Sequence, residues 1–226
     1  MTSTTFETHL TKLRETLLMM ASLTDRNLGL AMRSLVQREE KLAETVESTD
    51  DEIDQLEIAI DEQVIAFMAL QAPVARDCRF ILVASKIGTN LERIADQAVG
   101  IARRSKELSS QPLLKPLIDI PRMATLATEM LRDAITAFVE EKPDLAKEIV
   151  KRDKQIDEIN RQLQREMTSF MLEDPSTITR ALNLSLVARN IERIADHAKN
   201  IAEEVYYLYR ADDIRHSQQG KGDAVK

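Results

Sequence analysis

Residues 190–202 of the chain repeat residues 90–102 without a gap. The later segment reads NIERIADHAKNIA and the earlier one reads NLERIADQAVGIA, so nine of thirteen positions are identical. Both contain Glu-Arg-Ile-Ala-Asp, with the carboxylates four residues apart: Glu92 with Asp96, and Glu192 with Asp196. Because four residues is just over one helical turn, each pair projects from one face of a helix. The repeat indicates a fold that is built twice from one helical unit.

A second repeat runs through a different part of the chain. Apolar residues follow a helical stripe from Leu42 to Phe67, and each has an apolar counterpart 103 residues later, in the stripe from Leu145 to Phe170. Thr49 fills the one gap in the earlier stripe. The two repeats together indicate a tandem duplication of a three-helix unit.

The three- and four-residue spacing of apolar side chains predicts six long amphipathic helices. Five of them cover about residues 6–38, 40–70, 76–108, 117–141 and 143–172, and the sixth carries a stripe from Leu184 to Leu208. Pro73 ends the second helix, and the segment Asp-Pro-Ser at residues 174–176 separates the fifth from the sixth. The predicted fold class is all-α: two antiparallel three-helix bundles, side by side or end to end.

The stretch SSQPLLKPLIDIP, at residues 109–121, divides the chain. It carries three prolines, Pro112, Pro116 and Pro121, and is the best candidate for a boundary between two units. We therefore expect a first bundle over residues 1–110 and a second over residues 111–210. Residues 211–226 are polar and aperiodic, so we expect a disordered tail there.

The composition excludes several classes of protein. A formal charge of −7 disfavours a nucleic-acid binder, because phosphate contacts need clustered Lys and Arg. No run of about 18 apolar residues is present to span a membrane, and the N-terminal MTSTTFETHLTKLRE lacks the pattern of a secretory signal. The lone Cys78 allows no internal disulfide. We expect a soluble cytoplasmic protein.

Each half of the chain also carries an Asp-x-x-x-Asp pair on its middle helix. Asp50 and Asp54 recur 103 residues later as Asp153 and Asp157. This pair and the Glu-x-x-x-Asp pair of the next helix both lie about 20 residues from the proline at the hairpin tip, which is roughly 30 Å along each helix. Antiparallel neighbours therefore bring four carboxylates to one level in each half. They lie on the flank of the apolar seam, accessible from outside the bundle.

Clustered carboxylates repel one another unless a cation neutralises them, and oxygen ligands suit hard or borderline metal ions. We therefore predict a metal site in each half. The ligands are Asp50, Asp54, Glu92 and Asp96 in the first half, and Asp153, Asp157, Glu192 and Asp196 in the second. Mg²⁺ or Mn²⁺ fits by hardness, while iron or zinc stays open. The competing interpretation is a solvated acidic face with salt bridges to neighbouring Arg and Lys side chains.

Other catalytic or metal-binding patterns are sparse. No Glu-x-x-His pair supports a ferritin-like di-iron site, no Gly-rich loop supports phosphate binding, and Cys78 has no candidate base nearby in sequence. His197 follows Asp196, which leaves it open as a metal ligand, but its counterpart in the first half is Gln97, so we favour a histidine on the bundle surface. Gly88 and Gly100, inside the third predicted helix, are compatible with close approach of a neighbouring helix.

These motifs resemble the PhoU family of bacterial phosphate-signalling regulators. The resemblance rests on LAETVESTDDEIDQLEIAID and LAKEIVKRDKQIDEINRQL, on the hairpin APVARDCRF and on both ERIAD segments, and it extends from the first helix to Tyr209. It implies six helices in two three-helix bundles, with multinuclear metal sites on the surface built from the eight carboxylates above. The pattern departs at Glu57, whose counterpart is Asn160, so the two sites are expected to differ in ligand number or occupancy.

The resemblance also implies a function. Family members are not known as enzymes; they restrain the phosphate-starvation response by linking the phosphate ABC transporter to its membrane sensor histidine kinase. We therefore expect a non-enzymatic regulatory adaptor. Its partners are the transporter's ATPase subunit and the sensor kinase, and it meets the membrane only through them. A homodimer, a regulator of another phosphate transporter, a metal-dependent phosphohydrolase and a metal-free helical scaffold stay open.

Overall fold

The computed structural model describes residues 2–71 and 75–215, which form an all-α fold. The helices are α1 (Thr2–Gln37), α2 (Glu40–Gln71), α3 (Ala75–Ser109), α4 (Asp119–Val139), α5 (Pro143–Glu173) and α6 (Ile178–Arg210). A 3₁₀ turn, Pro175–Thr177, separates α5 from α6 as predicted. The predicted break at Pro73 and the tail beyond residue 215 lie outside the described residues, whereas residues 211–215 form no helix. In the described part of the chain, no helix is both long and apolar enough to cross a membrane.

The predicted apolar stripes form the core of the protein. Every predicted stripe residue of α6, from Leu184 to Leu208, is at most 5% exposed. The stripe of α3 from Ala84 to Ile101 is fully buried. The stripes of α2 and α5 contain half-buried as well as buried side chains. α3 and α6 are therefore the central helices, and α2 and α5 lie on the outside.

Side chains at the helix ends stabilise the connections between helices through hydrogen bonds. Arg38 ends α1 with a φ of 59°, in the left-handed region. Its guanidinium donates to the Leu108 carbonyl at 3.1 Å and to the Ser109 carbonyl at 2.7 Å, which lack helical partners at the end of α3. Between α5 and α6, the Asp174 carboxylate accepts from the Ser176 backbone N–H at 2.9 Å and from its hydroxyl at 2.8 Å. These bonds keep the pKa of Asp174 below its ordinary value.

The six helices form two three-helix bundles that lie side by side. α1, α2 and α3 pack against one another, as do α4, α5 and α6. α3 packs along α6, and a smaller contact joins α1 to α4. One continuous core of buried residues runs through both bundles, from Leu13 to Leu208. The division of the chain at residue 110 therefore stays a prediction about folding units.

The two repeated segments face each other where α3 crosses α6. Asn90 Oδ1 lies 3.0 Å from His197 Nδ1 and accepts from Asn200 Nδ2 at 3.4 Å. At the reciprocal position, a Cβ on Gly100 would stand 2.5 Å from Asn190 Nδ2. The two helices therefore run in opposite directions, and close approach at Gly100 is confirmed. The ring of His197, predicted on the surface of its bundle, is half-buried in this contact between the bundles, and burial lowers its pKa.

Gly29 and Gly100 form a matched pair for testing this close contact. A Cβ on Gly29, in α1, would meet no described atom within 4 Å. Gly29→Ala should therefore raise stability by about 0.5–1 kcal/mol through helix propensity. Gly100→Ala has the same intrinsic gain, but its Cβ must turn the Asn190 side chain aside, which offsets part or all of that gain. We expect thermal denaturation to show a higher Tm for Gly29→Ala and a smaller rise, or none, for Gly100→Ala. Equal rises in both variants would contradict the close packing.

Candidate functional site

The predicted ligands form two groups, one in each bundle. The first quartet consists of Asp50 and Asp54 on α2 with Glu92 and Asp96 on α3. The second quartet consists of Asp153 and Asp157 on α5 with Glu192 and Asp196 on α6. Helix periodicity explains their position: Ile53 and Leu91 point into the core, so the residues that follow them lie at the edge of the seam.

Electrostatic coupling shows that the first quartet assembles across two helices. Burial raises the pKa of Asp50 to about 6, and the charges of Asp54 on its own helix and of Asp96 on α3 add to the rise. Burial also raises the pKa of Glu92 to about 7, and Asp96, Glu57 and Asp54 add to that rise. The charges of the two pairs therefore act on each other across α2 and α3, as expected for carboxylates at one level, and the metal site that they would form stays a prediction.

Glu92 carries a poorly compensated charge. Its Oε2 atom is buried and accepts no hydrogen bond from any described residue. Arg93 Nε lies 3.3 Å from that atom, and Arg93 Nη1 lies 3.3 Å from Asp96 Oδ2, but the Arg93 side chain is 55% exposed. Because exposed ion pairs contribute at most about 1 kcal/mol, the first quartet keeps a repulsion that an added cation would relieve.

The second quartet assembles in the same way but contains a cation of its own. Burial raises the pKa of Asp157, with the charges of Asp153 and Asp196 adding to the rise. Burial likewise raises the pKa of Glu192, with Asp196 and Asp157 adding. The Lys199 ammonium donates to Asp153 Oδ2 at 2.6 Å and lies 3.6 Å from Asp196 Oδ1. The two helices of the second quartet are thus bridged by an ion pair.

The sequence predicts that all of the quartet carboxylates lie on the accessible flank of the apolar seam. Asp54 and Asp96 do lie there, but Asp153 does not. Asp153 is only 6% exposed. Its pairing with Lys199 offsets part of the free energy needed to bury a charge, which explains how a carboxylate can lie inside the bundle wall. Sequence reasoning missed Lys199, although the repeat shows the signal: the counterpart of Lys199 in the first half is Val99.

The chemistry of both quartets fits a metal ion. Each supplies hard oxygen donors that repel one another. Each also has a buried oxygen without a hydrogen-bond partner among the described residues: Glu92 Oε2 in the first and Asp153 Oδ1 in the second. In the present side-chain conformations, no three described Asp, Glu, His or Cys residues stand close enough to hold one ion. Metal binding would therefore require side-chain rotation, and the eight predicted ligands stay a prediction.

Comparison with known proteins gives a consistent result. The family model described as the PhoU domain matches the chain twice, over residues 17–105 and 120–205. The phosphate-specific transport system accessory protein PhoU homolog of Aquifex aeolicus is 40% identical over 203 residues, which is 90% of this chain and 92% of the relative.

Two solved structures share the architecture. The crystal structure of PhoU from Pseudomonas aeruginosa matches with a TM-score of 0.89 at 35% identity, covering 92% of this chain and 100% of that one. The phosphate transport system regulatory protein PhoU from Streptococcus pneumoniae matches with a TM-score of 0.86 at 26% identity, covering 92% and 99%. The duplicated six-helix fold is therefore shared with experimental structures.

The raised pKa of Glu92 predicts how the metal-free protein responds to pH. Folding raises this pKa from 4.5 to about 7, so the folded state binds the proton more tightly than the unfolded state. Stability is therefore highest below pH 4.5 for this group and is lost as pH rises through about 7. In chelator at pH 8, we expect Glu92→Gln to gain about 1 kcal/mol, which raises Tm by roughly 2–4 °C.

Thermal denaturation between pH 5 and pH 8 measures this effect. The Tm of the parent should fall with rising pH more steeply than that of Glu92→Gln. Glu52→Gln is the matched control, because Glu52 is exposed on α2 outside the quartet, and its pH profile should follow the parent. If the Tm of the parent and of Glu92→Gln changes with pH in the same way, folding does not raise the pKa of Glu92.

Proposed function

The chain belongs to the PhoU family, and we propose that it is a regulatory adaptor of phosphate uptake. In this role it is an accessory protein of the phosphate-specific transport system. It acts as a negative regulator of the phosphate-starvation response by linking the phosphate ABC transporter, through its ATPase subunit, to the sensor histidine kinase. The observation that carries the proposal is the double match of the family model, once in each three-helix bundle.

A non-enzymatic role is supported by the names of the relatives. The Aquifex aeolicus protein is named an accessory protein and the Streptococcus pneumoniae protein a regulatory protein. An adaptor of this kind works in the cytoplasm and meets the membrane only through its partners. Its specificity lies in its surfaces, since helix faces are common docking sites.

Exposed apolar side chains support docking at both hairpin ends. Near the α2–α3 connection, Ile65 is 67% exposed and Met68 is 54% exposed. Near the α5–α6 connection, Leu172 is 80% exposed and Leu182 is 49% exposed. Because α3 and α6 run in opposite directions, the two apolar ends lie at opposite ends of the molecule. Two separate apolar surfaces suit a protein that links two partners.

Metal ions in the quartets would stabilise this adaptor. A divalent cation, Mg²⁺, Mn²⁺, iron or zinc, would neutralise the clustered carboxylates between α2 and α3 and between α5 and α6. Because the sites exist only in the folded chain, binding would raise stability by linkage. The metal would thus hold the outer helices against the central pair.

Two alternative functions lead to different results. A metal-dependent phosphohydrolase would use paired metals to activate water and would turn over phosphate esters in the presence of Mn²⁺ or Mg²⁺. The adaptor gives no turnover above the rate without protein. A regulator of another phosphate transporter would also show no turnover of phosphate esters, but a different transporter would co-purify with it.

Deletion of the gene in its source bacterium tests the proposal. At high phosphate the deletion strain should express its starvation genes, because the restraint on the kinase is lost, and the parent chain supplied in trans should restore repression. Ile65→Asp with Met68→Asp, or Leu172→Asp with Leu182→Asp, should fail to restore it, because a charge at an apolar docking surface must be desolvated.

Met19→Asp is the matched control for this experiment. Met19 is 56% exposed in the middle of α1, away from both hairpin ends, so this variant should restore repression. Normal regulation in the deletion strain would contradict the adaptor function. Full repression by both double variants would contradict docking at the hairpin ends.

A further inference from the structure

The two quartets differ in one residue that faces them from the central helices. Lys199 on α6 is seven residues after Glu192, and the equivalent position on α3 is Val99. Val99 is buried in the core at 4% exposure. The Lys199 side chain, 28% exposed, instead reaches the carboxylates, with Nζ 2.6 Å from Asp153 and 3.6 Å from Asp196. A fixed cation therefore joins α5 to α6 within the second quartet.

The first quartet has no equivalent bridge among the described residues. The cation nearest its oxygens is Arg93, which contacts only Glu92 and Asp96 on its own helix and is mostly exposed. Arg103, whose side chain is 68% exposed, pairs with Glu47 at 3.7 Å, and its charge only partly offsets the rise in the pKa of Asp50. The charge between α2 and α3 is thus left for another cation to neutralise.

The surrounding residues reinforce this difference. Glu57 adds a fifth negative charge beside the first quartet and acts on Glu92. Its counterpart in the second half, Asn160, is neutral and accepts from Gln164 Nε2 at 3.2 Å. The second quartet therefore lacks a carboxylate equivalent to Glu57 and gains the ammonium of Lys199.

We infer that Lys199 is a built-in counterion that takes the place of a divalent cation in the second quartet. The two quartets then bind metal unequally. The first binds a divalent cation directly, whereas the second binds one only by displacing Lys199 from Asp153. This inference rests on the metal-binding part of the proposed function and adds that only the first bundle responds to metal supply. A charge-assisted hydrogen bond must be broken at the second site, and at 2.6 Å this bond is among the strong ones.

Calorimetric titration of the chelator-stripped full chain with Mn²⁺ tests the inference. The parent should show a tight and a weak class of site, separated by at least about tenfold in Kd. Asp50→Asn with Glu92→Gln should abolish the tight class. Lys199→Met removes the charge while keeping the length of the side chain, so it should tighten the weak class by about tenfold and leave the tight class unchanged.

Lys86→Met is the matched control. Lys86 is a partly exposed lysine that pairs with Glu204 at 2.9 Å outside both quartets, so this variant should titrate like the parent. Lys199→Gln, checked by its melting curve, replaces Lys199→Met if the latter does not fold. Two equal classes in the parent, or no tightening in a folded Lys199 variant, would overturn the inference and leave the proposed function intact. Absence of any Mn²⁺ binding would overturn the metal-binding part of the proposed function as well.

Discussion

The packing of α3 and α6 is the interaction on which the rest of the structure depends. Each packs against the two other helices of its bundle and against the central helix of the other bundle. A fully buried Leu or Ile contributes about 1.5–3 kcal/mol, whereas a pair of like charges four residues apart costs about 0.2–0.5 kcal/mol. The apolar seams therefore hold the carboxylates together against their repulsion, and the quartets are a consequence of helix packing.

The helices and their buried faces could be predicted because periodicity is a local property of the sequence. The stripe from Leu184 to Leu208 is buried as expected. The meeting of Asp50 with Asp96 also followed, from counting residues to the hairpin tip. The half-buried position of His197 did not follow, because it depends on how one bundle packs against the other, and the sequence allowed two arrangements of the bundles.

The burial of Asp153 could not be predicted for a different reason. The comparison of the two halves aligned Asp153 with another carboxylate and so gave no reason to expect that it is buried. The residue that makes its burial tolerable is Lys199, a cation two helical turns after Glu192. Only the fold shows that Lys199 turns towards α5, whereas Val99 turns into the core. The duplicated fold has thus diverged at this position, and the second bundle carries internally a charge that the first bundle lacks.

The central claim is that the packing of α2 on α3 creates a cation site from four carboxylates. Anomalous diffraction from crystals of the full chain grown with Mn²⁺ tests it most directly. The account predicts an anomalous peak between α2 and α3, in contact with Asp50 and Glu92, and a weaker peak or none beside Asp153. No peak at the first quartet in saturating Mn²⁺ would contradict the account.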